Sequence, residues 1–284
     1  MSELITRLQQ LRRDAGVIGV VSATAPLSAI PEASILQRLR RLLDVRNRAE
    51  PTVERSVRGE EIAAGLRYVE TTSPYEVLGE IELPLPGKPM VSRERLLCFD
   101  TETTGLTRGV GTRAFMIGVA SFAQGEVRTR QLYMTTMAAE KAMLETFSSW
   151  ISTETILVSY NGKSYDAPLL KGRYRLNRLP HLLDSVPHVD WLYATRRAYR
   201  DKLINCRLAT IEREVLRIAR ENDLSGSQAP AAWLRYLRGG SSEGVTRVLE
   251  HNRQDVVTLI RLGDHLSSQM GQRGATSPSP ANCV

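Results

Sequence analysis

The sequence is poor in cysteine, with three residues among 284. Cys98, Cys206 and Cys283 lie far apart and show no paired spacing. This pattern argues against a disulfide framework and against a cysteine zinc site, and it fits a reducing compartment. We therefore expect a cytoplasmic protein with no disulfide-linked partner.

Long apolar runs are also lacking. No stretch approaches the roughly 20 apolar residues that a membrane-spanning helix needs, so no membrane association is expected. Hydrophobic residues make up 42% of the chain and charged residues 24%. Those fractions are ordinary for a globular protein.

Positive charge is in excess, and the excess is local. The chain carries 38 Lys and Arg against 31 Asp and Glu. Residues 171–220 hold 12 of the basic and 5 of the acidic residues, which leaves 26 of each elsewhere. A basic segment favours a polyanionic partner such as nucleic acid.

Breaks in hydrophobic periodicity divide the chain into four parts. We predict a helical, partly disordered extension at 1–56, a small strand-rich accessory segment at 57–94, a main domain at 95–270 and a disordered tail at 271–284. In the main domain, three strands come first and helices alternate with strands afterwards. This order predicts an α/β fold with a sheet of mixed direction.

Two carboxylates, Asp100 and Glu102, follow the apolar run at 96–99. Side chains two apart on a strand point the same way, so the pair projects together from a buried strand. Like charges in such a place repel, and a divalent cation relieves the repulsion. An Asp that opens a turn beside a solvated Glu is the alternative interpretation.

Two further acidic positions lie downstream. Asp166 follows a predicted strand and begins a predicted helix, where an Asp alone is usually a cap. His251 and Asp255 share one face of a late helix, where such residues alone usually form a surface pair. Together, four carboxylates predict a site for two Mg²⁺ or Mn²⁺ ions that supports in-line phosphoryl displacement. A histidine nearby suits proton transfer from water.

Five segments resemble the DEDD (DnaQ-like) 3′–5′ exonuclease superfamily, and most closely its YprB-type ribonuclease H-like branch. They are FDTETTGL at 99–106, SYNGKSYD at 159–166, HVD at 188–190, CRL at 206–208 and HNRQDV at 251–256. The resemblance covers about residues 95 to 268. It implies a ribonuclease H-like fold, with a mixed five-stranded sheet of three antiparallel strands followed by parallel strands, flanked by helices.

The resemblance also implies roles. Asp100, Glu102, Asp166 and Asp255 would hold the metal ions, and His251 would be the general base. In that superfamily the base is a histidine five residues before the last aspartate or a tyrosine four before it. Here the histidine, His251, stands four residues before Asp255. On a helix, this shift of one residue turns its side chain by about 100° from the position usual for a histidine in that superfamily.

Residues beside these motifs are candidates for substrate contact. They are Thr103, Thr104, Gly105, Leu106, Asn161 and Tyr165. Asp190 is expected either to cap the following helix or to support the site. Phosphate contacts are expected from arginines and a lysine at 196, 197, 200, 202 and 207.

The sequence thus predicts a two-metal-dependent nuclease, a 3′–5′ exonuclease acting on single-stranded DNA or RNA ends. Two alternatives remain open: a catalytically silent nucleic-acid-binding module of the same fold, and a structure-selective endonuclease. The sequence identifies no protein partner.

Overall fold

A computed structural model describes residues 54–77, 79–105, 111–220 and 224–275. The predictions for residues 1–53, for Leu106 and for 276–284 lie outside the described residues. The last helix continues to Ala275, beyond the predicted start of the tail at 271.

Seven strands form one central sheet. In chain order, the strands of the described residues are β1 (Glu60–Ala63), β2 (Leu66–Pro74), β3 (Glu80–Glu82), β4 (Met90–Ser92), β5 (Leu96–Thr103), β6 (Ala114–Ala123), β7 (Glu126–Met134), β8 (Ile156–Ser159) and β9 (His188–Asp190). The sheet order is β1-β2-β7-β6-β5-β8-β9, and β3 pairs with β4 in a small separate sheet.

The direction of the strands follows the lengths of their connections. Strands β5, β6 and β7 are joined by short links and pair antiparallel, whereas β8 and β9 follow helices or long loops and run parallel to β5. The mixed α/β sheet expected from the sequence is therefore confirmed.

The sheet is larger than the predicted five strands. Strand β2 pairs antiparallel with β7 along its whole length, from Leu66 opposite Met134 to Pro74 opposite Glu126, and β1 pairs with β2. These two strands come from the segment interpreted as an accessory region. The sequence did not reveal the extension because an alternating strand with one exposed face carries no signal of its partner.

Six α-helices of the described residues cover the sheet. They are α1 (Glu140–Ser149), α2 (Asp166–Leu176), α3 (Trp191–Tyr199), α4 (Leu208–Ile211), α5 (Ala229–Leu237) and α6 (Glu243–Ala275). A π-helical turn at Glu212–Leu216 continues α4. None of the helices in these residues is long and apolar enough to cross a membrane.

Apolar side chains pack on both faces of the sheet. Along β5, Leu97 and Phe99 belong to one hydrophobic cluster, while Leu96 and Cys98 belong to the other. Helix α6 contributes Val256 to the same cluster as Cys98. Because α6 lies across the central strands, its polar side chains come close to the carboxylates of β5.

Candidate active site

Strand β5 places Asp100 and Glu102 two residues apart, so both side chains point to the same face of the sheet. Glu102 is buried, with 6% of its surface exposed. Asp100 is partly buried and accepts a hydrogen bond on Oδ2 from Asn252 Nδ2, at 3.1 Å. The amide belongs to α6, so the helix that carries Asp255 also contacts the first acidic position.

Asp166 is the first residue of α2. The hydroxyl of Thr101, between the two acidic residues of β5, donates a hydrogen bond to Asp166 Oδ1. A Cβ at Gly162 would lie 3.1 Å from Asp166 Oδ2 and 2.5 Å from Ser159 Oγ. Glycine at 162 therefore leaves room for the side chains of Ser159 and Asp166.

The loop before Asp166 is held by Asp190, at the end of β9. Its Oδ1 accepts from the backbone N–H of Asn161 at 2.7 Å, and its Oδ2 accepts from that of Lys163 at 3.1 Å. The same Oδ1 caps α3 through Leu192 N–H at 3.0 Å. Asp190 thus does both things expected of it, since it caps a helix and also fixes the loop that leads to Asp166.

On α6, His251 and Asp255 share one face, as the four-residue spacing predicts. His251 Nε2 lies 3.6 Å from Asp255 Oδ2. A third residue, Arg220, contacts both side chains. It donates to Asp255 Oδ1, and its Nη1 lies 3.1 Å from His251 Nδ1.

Arg220 is anchored by Glu212, the first residue of the π-helical turn. Two hydrogen bonds join them, Nε to Oε2 at 2.5 Å and Nη2 to Oε1 at 2.7 Å. Glu212 is only 1% exposed, and Thr258 Oγ1 of α6 also donates to it. This network was not predicted from the sequence, because residues 212 and 220 lie in a segment that was interpreted as a basic surface.

The four carboxylates act on one another electrostatically. Burial raises the pKa of Asp100 well above its usual range, and the charges of Asp255, Asp166 and Glu102 raise it further. Burial raises the pKa of Asp166 to about 6. It also raises the pKa of Asp255, although electrostatic interactions with His251 and Arg220 oppose the rise.

The structure therefore brings Asp100, Glu102, Asp166 and Asp255 together, and their role as metal ligands stays a prediction. As placed in the described residues, no three His, Cys, Asp or Glu side chains are arranged to hold a metal ion. The donor chemistry nevertheless fits Mg²⁺ or Mn²⁺, since all four side chains offer oxygen. One of the four carboxylates, Asp255, forms an ion pair with Arg220.

Two buried amide side chains, Asn252 and Gln131, form a hydrogen-bonded chain that ends at Asp100. Asn252 has no exposed surface, and its Oδ1 accepts from Gln131 Nε2 of β7 at 3.0 Å. Gly118 of β6 is the register partner of both Asp100 and Gln131. A Cβ there would lie 1.9 Å from Asn252 Oδ1, so glycine is needed for the amide to reach across β6.

Asn252 and Gln131 were not among the predicted site residues. The sequence does place polar Asn252 on the apolar side of a predicted helix and Gln131 within an alternating strand. A buried polar side chain needs a hydrogen-bond partner, but the sequence does not say which partner it meets.

Apart from Leu106, which lies outside the described residues, the residues predicted to contact substrate flank these carboxylates in the sequence, and their role stays a prediction. Thr103 Oγ1 donates to Gly105 O at 2.9 Å, and the backbone N–H of Thr104 donates to Arg113 O at 2.9 Å. Asn161 adopts a left-handed backbone with φ of 65°. Tyr165, next to Asp166, is 49% exposed.

An antiparallel meander extended by two parallel strands, with acidic side chains gathered beside its first strand, defines a ribonuclease H-like domain. The chain belongs to the RNase_H superfamily, whose family model matches residues 97–267.

Known proteins that are similar to this chain include a bacterial protein and a solved polymerase structure. YprB of Bacillus subtilis (strain 168), an uncharacterized protein, is 35% identical over 181 residues, which is 63% of this chain and 43% of YprB. The match thus spans less than half of that relative. The family B DNA polymerase from the hyperthermophilic archaeon Pyrobaculum calidifontis matches with a TM-score of 0.50 at 16% identity, over 81% of this chain and 34% of the polymerase. At that identity the likeness concerns the fold alone.

Proposed function

We propose that this protein is a cytoplasmic, metal-dependent nuclease of the DEDD type, which hydrolyses phosphodiester bonds in single-stranded DNA or RNA from the 3′ end. One observation carries the proposal. Acidic side chains from β5, α2 and α6 converge, because Thr101 of β5 donates to Asp166 and Asn252 of α6 donates to Asp100. The charges of Asp255, Asp166 and Glu102 raise the pKa of Asp100. A stable fold gains nothing from such repulsion, so we assign the cluster to chemistry.

Asp100, Glu102, Asp166 and Asp255 would hold two divalent cations. Bound there, such ions would supply charge that stabilises the attacking and leaving oxygens of an in-line displacement. The chain's own contribution is to fix the donors. Asn252 orients Asp100, and Thr101 orients Asp166.

His251 is the proposed general base, and its contacts set a condition on that role. An arginine only donates hydrogen bonds, so His251 Nδ1, 3.1 Å from Arg220 Nη1, must accept and the ring proton must be on Nε2. In this tautomer neither ring nitrogen can take a proton. His251 therefore acts as a base only when Arg220 turns away, and the same movement releases Asp255.

Two alternatives make different predictions for the same assays. A catalytically silent module of this fold would bind single strands and cut none. A structure-selective endonuclease would open a circular single strand, which an exonuclease cannot do because the circle has no end.

The test uses linear single strands of DNA and of RNA, labelled at either end, with Mg²⁺, with Mn²⁺ or with EDTA. We expect metal-dependent shortening from the 3′ end, lost in Asp100→Asn and in Asp255→Asn. Glu145→Gln, which changes an exposed carboxylate on α1, is the control and should leave cleavage unchanged. No shortening by the wild-type protein, or equal shortening by the two site variants, would refute the proposal.

A further inference from the structure

An open groove lies next to the carboxylates, and it is lined by arginine and carboxamide side chains. Its volume is about 680 Å³, which lies within the roughly 300 to 1,000 Å³ typical of ligand sites. The polar side chains that define it are Asn161, Arg196, Arg200, Asn205 and Arg207. We call it the arginine groove.

The groove carries positive charge that the described part of the chain leaves largely unpaired. Arg196 and Arg207 are exposed, and neither forms an ion pair within the described residues. Arg200 contacts the exposed Asp201 at 3.4 Å, a kind of pair that contributes little in water. Among the described residues, no carboxylate lines the groove. Guanidinium groups match the geometry of phosphate oxygens, so the chemistry favours an anionic phosphodiester chain.

The walls of the groove are fixed. Arg196 and Arg200 are one turn apart at the end of α3, so they project on the same side. On the opposite wall, Asn205 Oδ1 accepts from the backbone N–H of Arg207 at 3.0 Å and from Thr210 Oγ1 at 2.7 Å. The three guanidinium groups are thus carried on ordered backbone.

The groove also continues into the acidic cluster. Asn161 lines it, and a Cβ at the next residue, Gly162, would lie 3.1 Å from the carboxylate of Asp166. Asp190 binds both the Asn161 N–H and the N-terminus of α3. One buried carboxylate therefore fixes the arginine-bearing helix relative to the loop that presents Asp166.

We propose that the arginine groove binds the sugar-phosphate backbone of a nucleic-acid single strand beside the bond that is cut. This inference rests on the proposed nuclease function in one respect: the bound strand is taken to lead to the acidic cluster because cleavage is proposed there. It goes further by naming a binding track and the residues that form it.

The test measures binding without cleavage. The full chain is titrated against a short fluorescein-labelled oligothymidylate and against the matching oligouridylate, in EDTA, at several salt concentrations. For a single strand, each phosphate contact contributes about −0.7 to the slope of log affinity against log salt concentration. The double variant Arg196→Ala/Arg207→Ala should bind on the order of tenfold more weakly and reduce the slope by about 1.4.

Arg197→Ala is the matched control. The sequence pattern placed Arg197 among the expected phosphate contacts, but in the structure this exposed α3 residue lines a different hollow beside Leu266 and is absent from the arginine groove. Its loss should leave affinity and slope unchanged. Unfolding midpoints should agree for all variants, since each change removes an exposed side chain.

The outcomes separate this inference from the proposed function. If the double variant binds as tightly as wild type, with the same slope, or if Arg197→Ala weakens binding equally, the groove is not the track. That result would leave any metal-dependent cleavage intact. Weaker binding by the double variant alone supports the groove, even if no strand is ever cut.

Discussion

Replacing Asp166 with asparagine should stabilise the protein at neutral pH. Burial raises the pKa of this carboxyl from 3.8 to about 6. At 1.36 kcal/mol for each pKa unit, ionising it in the folded protein costs about 3 kcal/mol. Asp166 is partly exposed, and water screens the effect, so this figure is an upper bound.

The direction of the pKa shift determines the pH range in which Asp166→Asn stabilises the protein. A carboxyl with a raised pKa holds its proton more tightly when folded, so its contribution to stability is complete below about pH 3.8 and is lost as pH rises through about 6. Asparagine has no proton to lose, yet its carbonyl oxygen still accepts the Thr101 hydrogen bond. The gain should therefore appear near pH 7 and vanish near pH 3.5.

The assay is urea unfolding, followed by tryptophan fluorescence in EDTA, at a series of pH values. EDTA is needed because a bound cation would stabilise the carboxylate form. Asp201→Asn, at an exposed position, is the control and should change stability by less than about 0.5 kcal/mol. If Asp166→Asn is no more stable than wild type at pH 7, or loses stability with the same pH slope, the inferred burial of charge is wrong.

Four other substitutions, two of them controls, test the contacts around the site by urea unfolding. Gly118→Ala places a Cβ 1.9 Å from the buried amide of Asn252 and should destabilise by about 1–3 kcal/mol, as overpacking does. Gly172→Ala, in α2 with open space around it, should instead stabilise by about 0.5–1 kcal/mol, and a loss there equal to that at Gly118 would contradict the packing. Arg220→Ala leaves a buried glutamate unpaired and should cost about 3–5 kcal/mol. Arg213→Ala breaks only an exposed pair and should cost less than about 1 kcal/mol, so similar losses in these two variants would refute the buried network.

The sequence was most informative where hydrophobic pattern alone decides structure. The apolar run before Asp100 predicts a buried strand, and β5 occupies Leu96–Thr103. The helical period around His251 and Asp255 places both side chains on one face, and they lie 3.6 Å apart. In both cases the geometry depends on residues adjacent in sequence or one turn apart.

Contacts between distant segments were not predictable. The Arg220–Asp255 pair, the Gln131–Asn252 amide contact and the close approach of Gly118 to that amide depend on where α6 lies relative to the rest of the chain. The pairing of β2 with β7 is of the same kind. Hydrophobic periodicity and composition predict each helix or strand separately, whereas these contacts depend on how the elements are aligned with one another.

The most direct test of the central claim is a crystal structure of the protein grown with Mn²⁺, with data recorded at the manganese absorption edge. We expect two anomalous peaks about 4 Å apart, coordinated by Asp100, Glu102, Asp166 and Asp255, with the Arg220 guanidinium displaced from Asp255. Peaks elsewhere on the protein, or none beside these carboxylates at saturating Mn²⁺, would contradict the proposal of a two-metal nuclease site.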